Sequence, residues 1–370
     1  MDSELHLKNL RLELKQRKIS LAVICDRQNL QYLTDFYASF YDDAGLLLFT
    51  NDESVLLLPE TAEDVKKPDF ISELVFYENY NPRTDFDKAK NLADKFSASI
   101  TKLSVKKAII GLEKSSLPVS LQDVFKKQLS SFECEDIAYL LKKMRMIKTS
   151  GELECIRRSV AAADIGHAVI RKKASESEFS EIRLFNHMRA CIEQELGARI
   201  LIKADILSGQ RTLSIGGPAT NKVFKKGELL IADLIPCVDG YWADTTSTTV
   251  IGEITKKQSE LHAIVKEALS IGLHTAKPGI PVCELDQAIR IYIQKKGYSY
   301  PHHSGHGFGL SDFEPPLIGP ENKTLIEENM ILTIEPGIYL EGVGGIRLED
   351  NIVVTADGAE VLSMHSKEFS

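Results

Sequence analysis

The chain has six cysteines in 370 residues, and no two of them form a Cys-x-x-Cys pair. That excludes a thiolate zinc ribbon or finger and a dithiol redox motif. Cys25, Cys134, Cys155, Cys191, Cys237 and Cys283 all lie in apolar or helical contexts. They are expected as buried free thiols, which suits a reducing compartment. No apolar run approaches the roughly 20 residues of a membrane span. Met1, Asp2, Ser3 and Glu4 lack the basic start and apolar core of a secretory signal. A cytoplasmic protein with no membrane partner is expected. Basic clusters are also missing. Net charge is −8, the pI is near 5.7, and the lysine pairs (Lys106 with Lys107, Lys142 with Lys143, Lys225 with Lys226, Lys295 with Lys296) are scattered. Nothing in this balance favours nucleic acid. Neither G-x-x-x-x-G-K-[ST] nor a strand-linked G-x-G-x-x-G occurs, so Gly305, Gly307, Gly337, Gly344 and Gly345 are not phosphate loops. They are expected to let the backbone approach metals closely. Low-complexity segments and repeats of fixed period are absent.

What is present is a chain long enough for two domains, with 43% hydrophobic residues for their cores. Strands and helices alternate over the first stretch of about 140 residues, which reads as an α/β domain. Helices are expected over 5–18, 86–100 and 120–129, strands over 20–25, 74–77 and 107–110. Residues 44–49 and 54–58 read as a hairpin turning at Asn51, Asp52 and Glu53. Thr149 stands three residues before Glu152, a capping-box spacing that starts a helix running to about Lys173. A second helix is expected over 179–195, stopped at Gly197. Strands over 204–207, 229–234 and 241–251 and helices over 256–276 and 283–296 follow.

Five residues of the last third carry the chemistry. Asp233 ends the apolar run Leu229, Leu230, Ile231, Ala232. Asp244 lies eleven residues on, after Tyr241, Trp242 and Ala243. His306 is flanked by Gly305 and Gly307, Glu335 follows Leu332, Thr333 and Ile334, and Glu349 follows Gly345, Ile346, Arg347 and Leu348. Singly, each reads as a solvated carboxylate or a loop histidine. Together they form an oxygen-rich donor set with one imidazole, which suits two hard or borderline divalent ions: Mn, Co, Zn or Fe. Two such ions close together need carboxylates shared between them to offset their repulsion. Strands are stiff mounts for these ligands, because alternate side chains share a face.

This order resembles metallopeptidase family M24, the creatinase/aminopeptidase group, and within it Xaa-Pro dipeptidases (prolidases) and Xaa-Pro aminopeptidases. Supporting segments are Asn29 to Thr34, similar to the family's N-x-x-Y-L-T, and Arg145 to Lys148, similar to its inter-domain R-x-I-K. The resemblance implies an α/β creatinase N-like domain over 1–144 and an α+β pita-bread catalytic domain over 145–370. It implies that Asp233 holds one metal, that His306 and Glu335 hold the other, and that Asp244 and Glu349 bridge both. A homodimer acting on a small peptide or other small molecule is implied as well. His302 matches a histidine that contacts substrate or bound water, and Arg347 matches an arginine beside the last ligand.

The pattern departs from the family in three places. Gly216 stands where S-G-x-x-S-A-x-P-H-G-x-P has its histidine, Phe313 replaces the second histidine of H-G-x-G-L-x-x-H-E, and Ser247 replaces the arginine of S-D-x-T-R-T. Glycine and phenylalanine carry no transferable proton. His302 or Asp312 is then expected as the catalytic acid or base, with His302, His303, Phe313 and Arg347 lining the substrate. The expected function is dinuclear-metal hydrolysis of the peptide bond before proline. The alternatives are another enzyme of the same fold, cleaving a C–N or C–S bond of a small molecule, and a metal-free binding homologue without catalysis.

Overall fold

The first helix, α1 (Ser3–Gln16), stops where Lys18 takes a positive φ of 58°. It leads into β1 (Leu21–Ile24), four apolar residues that are all buried. The computed structural model describes residues 2–37, 45–62, 64–105, 107–129, 131–174 and 179–369. Within these the chain forms two units, Met1–Arg145 and Met146–Ser370.

In the first unit, α2 (Arg27–Thr34) is capped by Asp26 and closed by Asp35 in the left-handed region. The sequence showed it only as an isolated segment, because a helix of eight residues is too short to display a period. Its Asn29 is buried, donating to Glu113 Oε1 and accepting from Arg145 Nη1. Then come β2 (Leu46–Phe49), β3 (Ser54–Pro59), β4 (Glu73–Tyr77), α3 (Lys88–Lys102), β5 (Lys107–Leu112), α4 (Val119–Gln128), β6 (Ser131–Asp136) and α5 (Ala138–Met144). The expected hairpin is present as antiparallel β2 and β3, while Ala44, its expected first residue, lies outside the described residues. The strands order as β4-β3-β2-β1-β5-β6. Leu21, Val23, Leu46, Leu48, Ile110, Phe96 and Phe125 meet in one core beneath α3 and α4.

The second unit opens with α6 (Ser150–Lys173), started by a complete Thr149–Glu152 capping box, and α7 (Glu181–Leu196), closed by Gly197 at φ 66°. A sheet ordered β10-β8-β7 follows, from β7 (Leu201–Ser208), β8 (Leu229–Val238), β9 (Tyr241–Trp242), which pairs with β8, and β10 (Thr245–Val250). Helices α8 (Lys256–Thr275) and α9 (Val282–Lys295) precede β11 (Gly305–Gly307), β12 (Glu314–Ile318), β13 (Ile331–Ile334), β14 (Gly337–Leu340), β15 (Gly344–Arg347), β16 (Asp350–Val354) and β17 (Ala359–Val361). The order β12-β11-β13-β16-β17 makes the second sheet, and β14 pairs with β15.

Two cores hold these sheets in place. Leu230, Ala232 and Leu234 of β8 and Ile206 of β7 pack with Ile170, Leu184, Met188 and Ile192 of α6 and α7. Side chains alternate along a strand, so Asp233 must face the other way. Leu332 and Ile334 of β13 pack with Leu261 and Val265 of α8 and Leu285 and Ile289 of α9. That sends Thr333 to the opposite face. Truncating a buried leucine such as Leu332 to Ala would cost about 2–5 kcal/mol.

Two of the glycines allow close backbone packing. A Cβ on Gly305 would come within 2.0 Å of Thr333 O, and one on Gly345 within 2.0 Å of Thr212 O. Gly305 also has φ 148°. All six cysteines are free, but only Cys25, Cys155 and Cys237 are buried as expected; Cys191 and Cys283 are half-buried, and Cys134 is exposed on the edge strand β6.

Candidate metal centre

Asp233 sits in the middle of β8, with Thr246 of β10 and Asp205 of β7 opposite it in register. Asp244 occupies the two-residue break between β9 and β10. Asn351 fixes that break from both sides, accepting from Asp244 N at 3.2 Å and donating to Asp244 O. The expected continuous strand over 241–251 is therefore interrupted at the carboxylate. Glu335 directly follows β13 and is tied down by Glu335 N donating to Ser304 O at 3.0 Å. Glu349 lies between β15 and β16, where its N–H donates to Thr246 O at 2.9 Å and its Oε2 accepts from Thr246 Oγ1 at 2.7 Å.

His306 is positioned by β11. Its N–H donates to Thr333 Oγ1 at 3.1 Å, and Nδ1 lies 2.9 Å from Gly307 O. A carbonyl can only accept, so Nδ1 carries the proton and Nε2 is left with a lone pair. That Nε2 lies 3.5 Å from Asp244 Oδ2 and 3.8 Å from Glu335 Oε1. Asp244, His306 and Glu349 offer ligand atoms within 4.8 Å of one another, and His303, His306 and Glu335 form a second such group.

The electrostatics are those of a site short of positive charge. Burial, then Glu349, Asp233 and Glu335, pushes the Asp244 carboxyl well above the usual carboxylate range. Burial, then Glu335 and Asp233, does the same to Glu349. Burial also raises Asp233, with Arg347 pulling it back down. At Glu335 burial acts upward too, but the hydrogen bond from His303 and the charges of His306, His303 and Arg347 outweigh it, holding the group down at about 2. Asp233 Oδ1 is buried without a hydrogen-bond partner among the described residues, although Asp233 and Asp244 interact side chain to side chain. The two observations agree if Asp244 supplies a donor only when protonated. A divalent ion would relieve both the orphaned oxygen and the carboxylate repulsion, so the donor set fits.

Arg347 is 2% exposed and is held by four groups: Asp233 Oδ2 at 2.7 Å, Ile215 O at 2.5 Å, Thr246 Oγ1 at 3.2 Å and Tyr339 Oη at 3.3 Å. His302 is turned toward the protein. Its Nδ1 lies 2.7 Å from His303 O and its Nε2 2.9 Å from Tyr339 Oη, and burial lowers its pKa to about 4. His303 instead reaches Glu335 Oε1 at 3.1 Å. Burial works against its protonation, and the Glu335 hydrogen bond and charge outweigh it, raising the imidazole. Arg290 of α9 sets this loop by donating to Tyr300 O and His302 O.

Phe313 is 54% exposed, with its ring centroid 4.3 Å from that of His306. Asp312 forms no hydrogen bond to the five candidate ligands among the described residues. Its Oδ2 is held by Lys203 Nζ at 2.5 Å. Ser247, in place of the family arginine, bonds His167 Nδ1 at 2.9 Å. Tyr339, Asn351 and Asp205 went unremarked in the sequence. Tyrosines and asparagines at strand ends carry no local signal, but an aspartate breaking the apolar alternation of β7 was visible.

Comparison with known proteins identifies the family of the chain. Residues 154–356 match metallopeptidase family M24, and residues 6–147 match the creatinase/prolidase N-terminal domain. An uncharacterized peptidase of Staphylococcus aureus strain USA300 is 31% identical over 366 residues, covering 96% of this chain and 97% of the relative. An Xaa-Pro dipeptidase from Bacillus anthracis superimposes with a TM-score of 0.86 at 26% identity, over 100% of this chain and 99% of that one. The prolidase from Pyrococcus horikoshii OT3 gives 0.84 at 26% identity, over 98% and 99%. No helix among the described residues is long and apolar enough to cross a membrane. With matches spanning both units, the chain belongs to metallopeptidase family M24, with the α/β creatinase/prolidase N-terminal domain and the α+β pita-bread catalytic domain of that family.

Proposed function

We propose that this chain is a dinuclear-metal hydrolase of small peptides, resembling an Xaa-Pro dipeptidase in cutting the bond before proline. The observation that carries the reading is the convergence of four carboxylates and one imidazole in a buried cluster with too little positive charge of its own. Asp233, Asp244, His306, Glu335 and Glu349 would hold two divalent ions, Mn, Co, Zn or Fe, with Asp244 and Glu349 shared. Such ions activate a water as nucleophile and polarise a scissile carbonyl.

The chain's own groups do the remaining work. His306 is locked in the tautomer that leaves Nε2 free. Arg347 balances Asp233 and ties down the 215 carbonyl. His303 faces Glu335, stays partly exposed and is the imidazole best placed to hold or release a proton beside the cluster. His302 acts through position, bracing Tyr339 and the His303 carbonyl. Asp312 would have to leave Lys203 to serve as a base. Phe313 lies over one face of His306.

Purified protein loaded with Mn, Co or Zn should hydrolyse an Xaa-Pro dipeptide. Full metal occupancy with no turnover for any of these ions would count against the reading. The absence of imidazoles at Gly216 and Phe313 favours a second one, cleavage of a C–N or C–S bond in a small non-peptide molecule by the same site. Turnover of such a compound, with none of the dipeptide, would select it.

A further inference from the structure

We infer that Asp205 is a specificity-determining residue that receives a cationic nitrogen of the substrate. The inference rests on the peptide-hydrolase reading of the metal centre and names what the carboxylate beside it selects.

Asp205 is directly opposite Asp233 in the antiparallel β7–β8 register. Paired residues in such a ladder send their side chains to one face, with Cβ atoms about 4.5–5.5 Å apart. Ile206 and Leu234 pack toward α6 and α7, so Asp205 and Asp233 look away from the helices together. The Asp205 charge is felt at the Asp233 carboxyl.

The Asp205 carboxylate lies against a residue with no side chain. A Cβ on Gly216 would lie 2.5 Å from Asp205 Oδ2, with nothing but Asp205 within 4 Å. Gly216 is outside the left-handed region, so its backbone does not require glycine. What glycine provides is room for the carboxylate. The Gly216 segment borders the metal centre, because the preceding carbonyl, Ile215 O, is held by the same Arg347 that binds Asp233.

Asp205 is half-buried, and its carboxylate has no hydrogen bond or ion pair among the described residues. The nearby cations are committed elsewhere. Arg347 is spent on Asp233, Ile215 O, Thr246 and Tyr339, Arg211 on Glu181 and Pro218 O, and Lys203 on Asp312. An uncompensated carboxylate next to another buried one repels anions and attracts an ammonium group. In a dipeptide that group is the free α-amino terminus or a basic first side chain. The substrate's carboxylate end is then directed elsewhere.

The test compares wild type with Asp205→Asn, which keeps the shape and removes the charge. Both are loaded with Mn, and their metal content and circular dichroism are checked. Steady-state kinetics use three substrates: an alanyl-proline dipeptide, its N-acetyl form, and lysyl-proline. The binding of alanyl-proline and its N-acetyl form is also followed by calorimetry with a non-hydrolysing ion. The expected result is a tenfold to hundredfold rise in KM for alanyl-proline in Asp205→Asn, at unchanged metal content, with little change for the acetylated form; a lost charge-assisted contact is worth about that much. A loss confined to lysyl-proline assigns the cation to the side chain and still supports the inference. Equal KM values in both proteins for all three substrates overturn it. If wild type hydrolyses none of them, the hydrolase reading fails, and calorimetry decides for Asp205. A preference for the free amine that disappears in Asp205→Asn supports the inference, and equal affinities overturn it.

Discussion

Arg347 Nη2 donates to Asp233 Oδ2 at 2.7 Å, and the two side chains are 2% and 13% exposed. The pair joins the end of β15 to the middle of β8 inside one unit. Breaking a buried pair by removing one partner costs about 3–5 kcal/mol, because the other charge is left uncompensated. Arg347→Met should therefore destabilise the metal-free protein by about that amount in urea unfolding. Metal should restore part of the loss, since a cation at Asp233 replaces the lost charge. Equal stability of wild type and Arg347→Met without metal would show that Asp233 is neutral there.

Restoring the missing imidazoles meets an obstacle that the sequence did not reveal. Gly216→His puts its Cβ 2.5 Å from Asp205 Oδ2, so Asp205 has to rotate away. Phe313→His meets none, since that ring is more than half exposed. Surface exchanges of this kind stay within about 0.5 kcal/mol. The double variant Gly216→His, Phe313→His should therefore show a higher KM for an Xaa-Pro dipeptide than Phe313→His alone, because the displaced Asp205 no longer meets the substrate amine. Kinetics on an Xaa-Pro dipeptide, with thermal melts alongside, would check this ordering. A double variant with the KM of Phe313→His would show that Asp205 swings aside freely and keeps its contact.

Much of the fold was legible because its signals are local. Thr149 and Glu152 announced α6 by spacing, and the capping box is formed. The helices expected over 86–100, 120–129 and 256–276 are present with ends shifted by two residues or fewer. What stayed hidden depends on partners far away in sequence. β6 reads as a polar loop, Ser131–Asp136, and is a strand only because β5 offers it a parallel edge. Strand β8 runs on past Asp233 to Val238, through Pro236, because β7 pairs with it as far as Cys237 and β9 pairs with Val238. His302 and His303 are adjacent, and only the fold shows that His303 meets Glu335 while His302 meets Tyr339.

A pH effect follows from the histidines behind β10. His167 is fully enclosed, with Nδ1 on Ser247 Oγ and Nε2 near Thr245, and His365 stacks on it at 3.9 Å. Burial, then the charges of His365 and Lys367, holds His167 well below its usual range. Its folded pKa is lowered, so the unfolded chain takes up the proton first. The protein then loses stability as pH falls from about 6.5 toward the folded value, by at most about 1.4 kcal/mol per pH unit for this group. Urea unfolding at several pH values should show a shallower loss in His167→Gln. Asp244 and Glu349 titrate alike in both proteins and cancel from the difference. Identical pH slopes would mean that His167 takes up its proton as readily in the folded state as in the unfolded one.

The ligand set itself makes a graded prediction. A shared carboxylate serves both ions, so removing it deprives each of a ligand and exposes their mutual repulsion. Asp244→Ala and Glu349→Ala should lose about two equivalents of metal, and Asp233→Ala and His306→Ala about one. Stability should run the other way without metal. Burial and neighbouring carboxylates already push Glu349 well above its usual range, so Glu349→Gln removes a repulsive group while Thr246 can still donate to the amide oxygen. Metal-free Glu349→Gln should unfold at a urea concentration no lower than wild type, yet gain nothing from added Mn. Elemental analysis beside urea unfolding reads both effects. If Glu349→Ala retained two equivalents, the bridging assignment would be wrong. If metal-free Glu349→Gln unfolded earlier than wild type, the buried carboxylate would be a net contributor to the fold, and the charge excess invoked for metal binding would have to be offset by protons alone.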